Sequence, residues 1–182
     1  MGKDSVAAMW RRSLVLIAAS VGAASAVAAP PRTGETMLAG CRQGGCSWLQ
    51  VVSVGAPQRF PQGVLRRIDV RRGASVHPDG ALPSGPRGAR IEWLSSVRTV
   101  YAFCSTRRPA LAFAEEDNSL LVHFLDPFDL AGYQYASAGL HMRLCHGLAR
   151  VPSARVLRRL GYRPGTRSEQ VENGTVATLT RF

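Results

Sequence analysis

The chain has 182 residues, of which 46% are hydrophobic and 19% charged. That composition supplies one ordinary core and excludes wholesale disorder. The net charge is +11 and Lys3 is the only lysine, so arginine carries almost all of it; arginine suits bidentate contact with phosphate or carboxylate, although a genome rich in arginine codons would give the same excess.

In chain order, the first feature reads as an address. Lys3, Arg11 and Arg12 form a positive head, an uncharged stretch follows from Ser13, and Ala26-Val27-Ala28 fits the small-residue cleavage pattern. These are the parts of a secretory signal peptide, so residues 1–28 are expected to direct export across a bacterial-type inner membrane and then be removed. The apolar run is short for a membrane helix, and no stable membrane anchor is expected after cleavage. Arg11-Arg12-Ser13-Leu14-Val15 partly matches a twin-arginine signal, but Trp10 stands where such signals carry a polar residue. Leu38-Ala39-Gly40-Cys41 matches a lipobox in its letters. The charged spacer from Pro30 to Thr36 separates it from the apolar run, so lipidation of Cys41 is not expected.

Cys41, Cys46, Cys104 and Cys145 make an even set in a chain read as exported, which points to two disulfides. The favoured pairing is Cys41–Cys46, a tight loop made feasible by Gly44-Gly45, and Cys104–Cys145, which ties distant segments. A metal site is disfavoured because Cys104 and Cys145 lack the paired spacing that zinc commonly takes.

Residues 29–40 read as an extended leader, and residues 41–182 as one β-rich domain. Ser47 to Val54 and Val64 to Val70 are predicted strands, with a loop over 55–63. Between Gly73 and Arg90 lie seven glycines and prolines, read as a disordered loop. Three short apolar runs over 97–125, separated by turn residues, predict an antiparallel meander. Asp126-Pro127-Phe128-Asp129 resembles a helix start. The segment Ala136–His146 fits both periods and is taken as a strand, because Cys145 must reach Cys104. Ser153 to Gly161 predicts a short helix, and Asn173-Gly174 a tight hairpin. The expected class is therefore α+β: a small antiparallel sheet with one or two short helices, stapled by disulfides.

No nucleotide loop, zinc-protease, nucleophile-elbow or lactamase pattern occurs, and no cofactor is expected. Two sets could carry function. The first is the polar stretch of His123, Asp126, Asp129, Tyr133, Tyr135, His141, Arg143 and His146, where imidazoles near carboxylates suit acid–base work. Capping and core packing explain the same residues without chemistry. The second is a basic surface with one arginine from each of four pairs: Arg66, Arg71, Arg107 and Arg158. Adjacent strand residues face opposite ways, so the pairs by themselves do not focus a patch. Outside the cytoplasm the expected partner is an anionic envelope component or an acidic protein, and not nucleic acid. The leading expectation is a non-catalytic binding or structural envelope protein; the alternative is a small exported hydrolase using the His123–His146 region.

Overall fold

The computed structural model describes residues 29, 31–83 and 85–181, except the side chain of Tyr133. The expected signal peptide over 1–28 lies outside the described residues. The strands are β1 (Thr36–Arg42), β2 (Gly45–Val54), β3 (Gln58–Phe60), β4 (Gly63–Val76), β5 (Glu92–Cys104), β6 (Ala110–Ala114), β7 (Leu120–Phe124) and β8 (Glu169–Gly174). The helices are α1 (Tyr135–His146), α2 (Ala154–Arg159) and α3 (Val176–Thr180). All eight strands belong to one sheet in the order β1-β2-β4-β5-β6-β7-β8, with β3 paired beside β4. Every pairing is antiparallel.

Strand alternation sorts the core. Ile68, Val70, Val100, Ala102 and Leu111 face α1 and pack on its Ala138, Leu140 and Leu144. Leu65, Phe103, Ala110, Ala112, Val122 and Phe124 face the other way and are met by Leu179 of α3. Period two in the strands puts alternate residues into two separate cores, as a sheet covered on both sides requires. Helix α1 is pinned at its start by Gln134, wholly buried, whose Nε2 donates to the Phe124 carbonyl at the end of β7. It is tied to the N-terminal edge by Arg143, which donates from Nε and Nη2 to the two oxygens of Glu35 at 2.8 Å each.

The meander over 97–125 is present as β5-β6-β7, and both disulfides join the favoured partners, Cys41–Cys46 and Cys104–Cys145. Two disulfides indicate an oxidising compartment outside the cytoplasm. Among the described residues no helix is long and apolar enough to cross a membrane.

Several expectations need correction. Ala136–His146 is helical, not a strand. Leu140 and Leu144 lie one turn apart on the buried face, and Gly147 closes the helix at φ +68° with its N–H on the Arg143 carbonyl. The requirement that Cys145 reach Cys104 is met by a helix laid across the sheet. No helix starts at Asp126. Its Oδ1 instead accepts from the Phe128 N–H and its Oδ2 from the Gly165 N–H, fastening two loops together. Asn173-Gly174 makes no hairpin: Asn173 takes φ +55°, the strand ends, and Thr175 caps α3. Residues 36–40 of the expected leader are already in β1. Residues 73–76 of the expected loop continue β4, because Gly73 lets Trp93 of β5 close over the backbone; a Cβ there would stand 2.6 Å from the Trp93 ring.

Candidate functional site

The C-terminal end of α1 gathers the most unusual side-chain chemistry. His141 and His146 project from successive turns, and Tyr162, following α2, inserts its hydroxyl between them. The distances are 3.0 Å to His141 Nε2 and 2.6 Å to His146 Nε2. His141 Nδ1 lies 3.2 Å from the Ala110 carbonyl. A carbonyl can only accept, so Nδ1 carries the His141 proton and Nε2 is left to accept from Tyr162. The tyrosine oxygen then accepts from His146 Nε2–H. The result is one directed chain, His146 to Tyr162 to His141 to Ala110, with every member satisfied.

Electrostatics keep this chain neutral. Burial drives the His141 pKa down to about 4, against a smaller opposing effect of the Ala110 carbonyl. His146 is also lowered, first by burial and then by the nearby Arg66 guanidinium. Burial raises the Tyr162 phenol well above its ordinary value. The Cys104–Cys145 disulfide adjoins, with Cys145 Sγ 3.8 Å from His141 Nδ1.

The other residues of the polar stretch lie elsewhere. His123, on β7, is held by Ser137 Oγ at 2.7 Å and by the Gln170 side chain, and burial lowers its pKa. Asp126 is committed to backbone N–H groups, Asp129 is exposed, and Arg143 is occupied by Glu35. Tyr135 is exposed at the far end of α1 from His146. The imidazole pair therefore has no carboxylate in its hydrogen-bond chain. Among the described residues, no three His, Cys, Asp or Glu side chains gather to hold a metal ion.

The four expected arginines are dispersed. Arg66 lies on the α1 face of β4 beside His146, and its buried Nε has no acceptor. Arg71, five residues on, points to the opposite face, also with a buried, unsatisfied Nε. Arg107 is exposed in the β5–β6 turn, and Arg158 of α2 sits over the Phe128 ring at 5.6 Å. The arginine pairs are thus the wrong unit. What they obscure is a longer pattern: from Leu130 to Ser168 the chain holds seven arginines and no acidic residue.

Folding concentrates most of that run. Leu157 and Tyr162 pack on Met142 of α1, and Gly161 lies against Thr106 of the β5–β6 turn. Arg155, Arg158, Arg159 and Arg163 are exposed in and just after α2, which Gly161 sets against the turn that carries exposed Arg107. The other end of β6 has the opposite sign: Glu115, Glu116, Asp117 and Glu172 border one shallow depression. An acid-free run was visible in the sequence and would have located the basic end; inspecting charges pair by pair missed it.

Comparison with known proteins returns no match among protein-family models, curated proteins or solved structures.

Proposed function

We propose that the protein is an exported, non-catalytic binding or structural protein whose arginine-bearing end docks an anionic component of the bacterial envelope. Export rests on the signal-peptide pattern over 1–28 and agrees with the two disulfides. The observation that carries the reading is the acid-free stretch from Leu130 to Ser168, with the arginines of α2 near Arg107. Arg143 and Arg167 of this stretch are paired with Glu35 and Glu169, but Arg155, Arg158, Arg159 and Arg163 make no ion pair among the described residues. Unpaired guanidinium groups focus a positive potential and pair bidentately with phosphate or carboxylate. The hydrolase alternative has less support, because the His141–Tyr162–His146 chain includes no carboxylate and is held neutral by burial.

Co-sedimentation of the mature protein with phosphatidylglycerol vesicles, and separately with purified peptidoglycan, tests the reading. Phosphatidylcholine vesicles serve as the neutral control. Binding to an anionic surface should fall steeply with added salt, and the triple variant Arg155→Gln, Arg158→Gln, Arg159→Gln should bind about tenfold more weakly. Binding that ignores salt and the triple variant, or no binding to either anionic surface, would overturn it.

A further inference from the structure

At the opposite end from the arginine cluster, the sheet and the first turns of α1 leave an apolar cavity of about 460 Å³. Its wall includes Leu49, Val70, Val100, Phe113, Leu121 and Leu140. Val70 and Val100 are only 1% exposed, so the cavity reaches down to the core layer beneath α1. Arg72 and Arg98 stand among its lining residues with Glu92 and Glu115, and Leu94, 53% exposed, marks the open side. Small-molecule sites typically occupy about 300–1,000 Å³ and combine apolar walls with a few polar groups that fix orientation. The cavity has that size and that division of chemistry.

We infer that this cavity is a binding site for a single-chain amphiphile with an anionic head group, its alkyl chain inside and its head at Arg72. Apolar wall is better covered by apolar atoms than by water, so an alkyl chain displaces water favourably. The head-group assignment follows from the charges. Glu115 is engaged with Arg98 at 3.6 Å, and Arg98 also reaches Glu116 at 3.8 Å. Arg72 is exposed and makes no ion pair among the described residues. Glu92 repels anions locally, but removal of residues 1–28 with Lys3, Arg11, Arg12 and Asp4 still leaves a net charge of +9, which favours the approach of anions over that of cations. This site shares no residue with the arginine-bearing end, so failure of one reading leaves the other standing.

The test is titration of the mature protein with a dansyl-labelled undecanoic acid, read by probe fluorescence, followed by competition. Saturable enhancement is expected, displaced by lauric acid or dodecyl phosphate more effectively than by dodecanol or dodecylamine. Ala136→Trp places a large ring at an exposed position on the cavity lining and should weaken probe binding at least about tenfold, while near-ultraviolet circular dichroism stays native. Arg72→Glu should weaken lauric acid about tenfold and leave dodecanol unchanged. Absence of saturable binding to the wild type would overturn the proposal. So would binding indifferent to Ala136→Trp in a folded variant, or dodecylamine and dodecanol competing as well as the acids.

Discussion

At the scale of single residues, the His141–Tyr162–His146 chain sets how the molecule responds to acid. The folded pKa of His141 is about 4, below the value near 6.5 expected in an unfolded chain. Below about pH 6.5 the unfolded chain takes up a proton that the native state refuses, so stability is whole above that pH and declines as the pH falls toward 4. The full effect is on the order of 3 kcal/mol. His123 and His146 are shifted the same way and deepen the decline. Urea denaturation at pH 7 and pH 5 should show a clear loss for the wild type and a smaller one for His141→Gln, which retains a donor for the Ala110 carbonyl. Equal slopes for the two proteins would remove His141 from the account. Tyr162→Phe strips both imidazoles of their shared hydroxyl and should cost about 1–3 kcal/mol at pH 7, measurable in the same titration. These histidines were identifiable from the sequence as unusual. Their partner was not, because Tyr162 lies 16 residues beyond His146 and reaches it only through the packing of α2.

Among the elements, the disulfide between β5 and α1 is the main staple. It closes a separation of 41 residues, for which loop-closure entropy implies about 4 kcal/mol of stabilisation. The double variant Cys104→Ala, Cys145→Ala should lower the denaturation midpoint accordingly; an unchanged midpoint would mean that packing, Gln134 and the Arg143–Glu35 pair hold α1 without the disulfide. The β4–β5 contact makes a second prediction. Gly73→Ala would force a methyl to 2.6–2.7 Å from Trp93 and Ile91, and should destabilise by about 1–3 kcal/mol in thermal unfolding. Strand runs such as Ser47–Val54 and Leu120–Phe124 could be read from local apolar pattern, since a strand needs only period two and β-branched or aromatic residues. The errors fell where a local signal was ambiguous or where a glycine served contact and not a turn. Leu140 and Leu144 fit a helical face and, with Met142, a strand face, and only burial against the sheet selects the helix.

For the molecule as a whole, the proposed docking to an anionic surface depends on where the charge lies. One end presents the arginines of α2 and Arg107, while the β6–β7 turn at the other end presents Glu115, Glu116 and Asp117. Glu115→Gln with Glu116→Gln raises the net charge without touching the basic end. If the local field governs docking, this pair should change binding to anionic vesicles far less than the α2 triple variant does, in the same co-sedimentation assay. Equal and opposite effects would mean that total charge alone is read.

The sequence by itself determined the properties carried by composition and short-range pattern: an even cysteine set whose favoured pairing is the one formed, a basic balance and the central meander. Tertiary structure alone decided that α1 crosses the sheet, that a tyrosine joins two histidines, that the arginines gather at one end, and that an apolar cavity opens at the other. The physical reason is range. Propensity and turn chemistry act over a few neighbours and are written in the residues concerned, whereas burial and hydrogen-bond partnership depend on which distant segments the core brings together.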